Sequence, residues 1–386
     1  MHPSRWAGLA AIACGVILIG LVPAPADEPA KKLGPDAKEW DRIVDKAIDY
    51  FKSSQGAEGG WSVGRSPGVT GVALTGMLQT GRITAKDPTV EKALKYIESL
   101  VNPKAGHIAG QNPRVQLQNY VTCVNVMALV AADRDSYKSV IGDATKFLKN
   151  LQWDEGEGKN RDSTFYGGAG YDSKSRPDLS NTQMFLDALT AAGIPKDDPA
   201  LKKAAIFISR CQNLKGEQND QPWAGKINDG SFIYTPVGDD DSRTKVDGPH
   251  PDGALPGYGS MTYAGIKSLI YCGVSKDDPR IQKAVEWIQK HYTVDANPGM
   301  PKPFAHRGLY YYYATMAKCL DALGVDQVKD ADGKLHDWRA DITAALAKRQ
   351  KPNGSWVNDR DQWMEGDPNL VTGYALMALS YCKPRK

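Results

Sequence analysis

Two kinds of apolar segment alternate along the chain. In the first, nearly every position is apolar or small: GVALTGMLQT after Thr70, CVNVMALVAA after Thr122, QMFLDALTAA after Thr182, YAGIKSLIYC after Thr262, ATMAKCLDAL after Tyr313 and GYALMALSYC after Thr372. Segments apolar on most faces predict helices buried from all sides. Gly81, Gly193, Gly273 and Gly324 stand eleven residues after their anchors, where glycine stops a helix; Asp133 and Lys383 hold that place in the other two. The second kind is amphipathic and lysine-rich, predicting helices over Trp40–Ser53, Thr89–Leu100, Tyr137–Leu151, Pro199–Cys211, Pro279–Gln289 and His336–Gln350. Three of them follow Asp87-Pro88, Asp198-Pro199 or Asp278-Pro279, a cap followed by proline at the first helical position.

Six buried helices alternating with six amphipathic ones predict an all-α protein, an (α/α)6 toroid with the apolar helices inside. An open solenoid needs polar terminal caps, which the pattern does not supply. The loops entering the inner helices all emerge on one end of such a ring, the expected functional face. Two of them, Gly156–Leu179 and Gly216–Gly257, are long and rich in Gly, Asp and aromatics.

Where outer helices end, Gln55 with Gly59 and Trp61, and Gln350 with Gly354 and Trp356, spell Q-x3-G-x-W; Gln152/Gly156 and Gln212/Gly216 keep its Gln and Gly. This resembles the QW repeat of squalene/hopene cyclases and protein prenyltransferase β subunits, and it runs over nearly the whole chain after residue 26. The resemblance implies the same toroid, with Gln55, Trp61, Gln350 and Trp356 bracing it. The family's chemistries are another matter. Cyclases carry Asp-x-Asp-Asp-Thr before an inner helix, and here only Asp178 matches its first acid; Asp133/Asp135, Asp330/Asp332 and Asp359/Asp361 each lack the following Asp. Prenyltransferases hold zinc with an Asp two residues before a Cys; no cysteine after residue 26 has one, and no metal or other cofactor is expected. The Gly-Cys-Gly-Glu-Gln of thioester toroids is absent as well.

Charge and leader narrow the setting. Lys+Arg 48 against Asp+Glu 45 gives +3 over 386 residues, with no basic stripe for a nucleic acid. Arg5, the apolar run Ala7–Val22 and Ala24-Pro25-Ala26 predict a signal peptide over 1–26, a single domain over 27–386 in the secreted or periplasmic space, and no membrane span once the leader is removed. The five remaining cysteines, Cys123, Cys211, Cys272, Cys319 and Cys382, sit in apolar helices with no close pair and predict buried thiols.

Two stretches supply candidate chemistry. Gly257–Gly265 opens the fourth inner helix with small residues around Tyr258, Met261 and Tyr263, a mouth suited to a ligand. The fifth opens with His306, Arg307 and the run Tyr310, Tyr311, Tyr312, Tyr313, some of which must face the lumen. We take Tyr258, Met261, Tyr263, Tyr310, Tyr313, Trp363 and Asp178 as ligand-binding candidates, and His306, Arg307, Tyr312 and Asp361 as catalytic ones. The packing alternative is a bulky core turn with a salt-bridged Arg and a hydrogen-bonded His. Asp239–Asp241 has the look of a solvated turn. The expected function is binding of an elongated apolar, isoprenoid-like small molecule or lipid in the central cavity, without standard cyclase or zinc chemistry. The alternatives are a toroid that binds a protein or peptide, and a carbohydrate-active lyase or hydrolase acting on a glycan.

Overall fold

The computed structural model describes residues 33–111, 117–172, 174–236 and 253–384, so the leader and the Asp239–Asp241 turn lie outside the described residues. The helices are α1 Ala37–Ser54, α2 Gly68–Thr80, α3 Pro88–Ser99, α4 Gln118–Ala132, α5 Lys138–Lys149, α6 Leu179–Ala191, α7 Pro199–Arg210, the one-turn α8 Ala224–Ile227, α9 Gly259–Tyr271, α10 Pro279–Lys290, α11 Leu309–Leu323, α12 Trp338–Arg349 and α13 Pro368–Tyr381. A two-residue hairpin, β1 Val328–Lys329 and β2 Leu335–His336, precedes α12. It takes His336 out of the predicted sixth outer helix, because Asp337 caps α12 by accepting from the Ala340 N–H at 3.1 Å.

The inner helices α2, α4, α6, α9, α11 and α13 each pack on the next, and α13 returns to α2. The ring therefore closes, as the two segment kinds predict. Leu33–Lys386 forms one compact unit. Closure depends on small residues at the α2–α13 seam: a Cβ on Gly76 would lie 2.6 Å from the Gly373 carbonyl oxygen, and one on Gly373 only 3.1 Å from the Ala73 nitrogen. The outer helices α3, α7 and α10 begin with the predicted caps, Asp87, Asp198 and Asp278 each accepting an N–H at 2.9 Å.

Each anchor threonine has the same task. Thr70, Thr122, Thr182, Thr262 and Thr372 accept the N–H of Trp61, Ile108, Ala169, Phe232 and Trp356 at 3.0–3.2 Å, tying the incoming loop to the first turns of its inner helix. In the fifth repeat the Tyr313 hydroxyl donates to the Val294 carbonyl at 2.6 Å instead. The four glutamines bridge neighbours: the Gln55 side-chain amide donates to Gly59 and Thr89, Gln152 to Gly167 and Ala200, Gln212 to Gly230 and Arg280, and Gln350 to Gly354 and Ile43. The glycines that partner Gln152 and Gln212 are thus Gly167 and Gly230, not Gly156 and Gly216; longer loops separate glutamine from glycine in those repeats. At Gly167 the fit is tightest, with φ +84° and the place of a Cβ only 1.9 Å from the Lys203 carbonyl oxygen. Trp61 and Trp356 are buried and donate from their indole N–H to the Phe51 and Leu346 carbonyls. The five cysteines are free and buried.

Candidate functional site

The ring's inner helices start at one end, and there they surround a cavity of about 220 Å³. Every lining residue belongs to the opening turns of an inner helix or to the loop before one. Six are tyrosines, Tyr120, Tyr171, Tyr234, Tyr258, Tyr311 and Tyr374; Val69, Val72, Leu117, Met261, Met364 and Leu370 line it too, with Trp363. The phenols pair with one another and with neighbouring polar groups. Tyr120 and Tyr374 share a hydrogen bond at 2.6 Å, and the Tyr311 hydroxyl shares one with Ser180 at 2.9 Å while accepting from the Gln183 amide at 2.6 Å. Burial raises the pKa of all six, so they stay neutral and present aromatic faces to the cavity.

Glu365 is the carboxylate in this wall, 1% exposed. Gly308, the residue before α11, has no side chain to cap the helix, and Glu365 does so from the loop before α13. It accepts the Tyr311 N–H at 2.8 Å, the Tyr310 N–H at 3.1 Å and the Asn358 side-chain amide. Burial pushes its carboxyl up to about 7 against the pull of those donors. Beside it, Trp363 and Met364 both hold positive φ, 56° and 66°. Two consecutive non-glycine residues in the left-handed region are strained. The Trp363 ring covers Gly308, where a Cβ would meet it at 3.3 Å, and is 47% exposed.

The candidate residues fall into two groups. Tyr258, Met261 and Trp363 stand in the cavity wall. Tyr263, Tyr310, Tyr312 and Tyr313 lie in the packing between helices: Tyr263 and Tyr312 meet edge to face at 5.7 Å, as do Tyr310 and Tyr313 at 5.8 Å, and Tyr312 donates to the Thr293 carbonyl. Successive helical side chains are about 100° apart, so only one of the run, Tyr311, points inward. His306 sits outside the wall, 3.4 Å from Asp359, and the Arg307 guanidinium lies over the Phe304 ring. Asp361 accepts the Gly366 N–H within its own turn. Asp178 caps α6, accepting from the Asn181 N–H and side-chain amide at 2.7 Å. It is not in the cavity wall but neighbours the Tyr234 hydroxyl that is, and burial raises its carboxyl to about 6.

Tyr311 and Glu365 are absent from the sequence-derived candidates. The signal for Tyr311 was a polar stripe at helical spacing on otherwise apolar inner helices: Ser180, Gln183 and Asp187 on α6, and Tyr311, Thr315 and Lys318 on α11. Glu365 carries no such mark, being one acid in a polar loop. Among the described residues no cluster of His, Cys, Asp and Glu is suited to a metal, and no helix is long and apolar enough to cross a membrane.

No protein-family model matches the chain, and neither does any curated protein. Solved structures do. The type II terpene cyclase MstE of Scytonema, without ligand, superposes with a TM-score of 0.53 at 15% identity, over 91% of this chain and 99% of its own. A variant of that enzyme, in complex with the substrate geranylgeranyl dihydroxybenzoate, gives 0.54 at 15% identity over 90% and 97%. A glycosidase variant gives 0.52 at 12% identity over 90% and 99%. At these identities the likeness is one of fold.

Proposed function

We propose that this chain, whose fold is the α/α toroid of type II terpene cyclases, binds an elongated apolar ligand of isoprenoid type in its tyrosine-lined cavity and does so after export. The observation that carries the reading is the cavity itself: six neutral phenol rings and six aliphatic or thioether side chains around one lumen at the mouth of the ring. A fold neighbour that holds a geranylgeranyl compound as substrate supports the same ligand class. The leader, with Arg5, Ala7–Val22 and Ala24–Ala26, supports export.

Binding is the primary reading because the Asp-x-Asp-Asp-Thr acid is missing and Asp178, which matches its first position, is not in the cavity wall. Glu365 favours a second one: a carboxyl that titrates near neutrality in an apolar wall is placed to protonate a bound ligand. The test is native mass spectrometry of protein purified from the exported fraction, then incubated with geranylgeraniol. A ligand-bearing mass in the wild type and its loss in Met261→Trp, which fills the lumen, support cavity binding. An unliganded mass in both overturns it. Conversion of the bound compound by wild type but not by Glu365→Gln establishes the second reading.

A further inference from the structure

Beneath the cavity floor lies a cluster of charges that ligand binding in the tyrosine cavity leaves unexplained. Lys267 of α9 and Asp187 of α6 are 1% and 3% exposed at their side chains, and Lys318 of α11 is 11% exposed. The Lys267 ammonium donates to both Asp187 oxygens, at 2.7 and 2.8 Å, and to the Gln183 carbonyl oxygen, which uses all three of its protons. Lys318 reaches the same carboxylate at 3.0 Å. Among the described residues Asp187 is the one carboxylate within ion-pair distance of either lysine. Two ammonium groups thus share a single carboxylate, with the Tyr271 ring centroid 5.8 and 6.0 Å from them.

A net positive charge in a buried site is costly unless something balances it. Proton loss is one way, and the cluster leans towards it: burial draws Lys267 down to about 8, whereas for Lys318 the pull of burial is exceeded by Asp187 together with the Tyr381 and Tyr271 phenols, which hold it above its usual value. Space supplies another way. Both lysines and their shared Asp187 line a chamber of about 10 Å³, together with Gln183, Thr315, Met184 and Met377. That is room for one water-sized body, and flexible thioethers in its wall adapt to a slightly larger one. Lys318 lines the chamber, and among the described residues Asp187 is its ion-pair partner.

We propose that this lower chamber is a binding site for a small monovalent anion, chloride being its probe, which balances the second lysine. The anion accepts from Lys318 and completes a neutral cluster of two cations and two anions. The chamber shares Tyr311 and Tyr374 with the cavity above, and Gln183 joins them by donating to Tyr311 while accepting from Lys267. Occupancy therefore sets the electrostatic potential at the cavity floor.

Bromide-soaked crystals of the wild type should show an anomalous peak within hydrogen-bond distance of the Lys318 Nζ. In solution at fixed ionic strength and pH 7, replacing gluconate by chloride should raise the melting temperature saturably, by about 2 °C at roughly tenfold excess over the dissociation constant. Sulfate, too large for the chamber, should not reproduce the rise. Lys318→Met leaves a neutral Asp187–Lys267 pair and should abolish both signals; Lys318→Gln serves if Met fails to fold. A missing bromide peak, a rise shared equally by sulfate, or an unchanged chloride response in the Lys318 variants would overturn the assignment and leave deprotonation of Lys267 as the balance.

Discussion

Glu365→Gln separates two forces acting on the same carboxyl. Burial favours its neutral form, whereas the donors at the start of α11 and the helix dipole favour the charged one. With burial dominant, the pKa rises from the ordinary 4.5 to about 7 on folding. The folded state then binds the proton more tightly than the unfolded chain. The associated stability is fully present below pH 4.5 and is lost as pH rises through 7. A shift of this size is worth about 3 kcal/mol in full, of which about 2 kcal/mol disappears between pH 5 and pH 7. Glutamine has the shape but no proton to lose, so Glu365→Gln should remove this component. The assay is urea unfolding of both proteins at pH 5 and pH 7, with the wild type losing about 2 kcal/mol more than the variant across the interval. Equal pH dependence within about 0.5 kcal/mol, or a larger loss in the variant, would refute the reasoning and show that the cap outweighs burial.

The other predictions concern the ring. Gly373→Leu places a side chain where Ala73 and Val72 leave no space; it should cost about 3 kcal/mol or more and lower the melting temperature accordingly, as scanning calorimetry will show. Gln152→Leu removes the side-chain donor from the buried Gly167 carbonyl and breaks the tie to Ala200 of α7, with an expected loss of about 1–3 kcal/mol by denaturant unfolding. Asp198→Ala removes both the α7 cap and the partner of Lys149, and should cost about 1–2 kcal/mol in the same assay.

Much of the scaffold was legible because its causes are local and periodic. An apolar segment without a polar face can only be an inner helix. Asp-Pro marks where an outer helix begins, and the repeated Thr, Gln, Gly and Trp each satisfy the same backbone groups in successive repeats. The closed ring followed from counting these units. Which side chains meet at the lumen did not follow, because it depends on rotation about each helix axis. Four consecutive tyrosines look alike in the chain, but a turn of about 100° per residue sends Tyr311 inward and gives Tyr312 and Tyr313 to the carbonyls of residues 293 and 294. Glu365 and Gly308 are 57 positions apart in the chain, and only their meeting in space makes one the cap of the other's helix. Lys267, Asp187 and Lys318 likewise come from three different helices and form one charge cluster only when the ring closes. The sequence by itself determined the elements and their order, since propensity and periodicity act within a few turns of chain. Tertiary structure alone decided the cavity, its acid and the shared carboxylate beneath it, since burial and charge act across space between residues the chain keeps far apart.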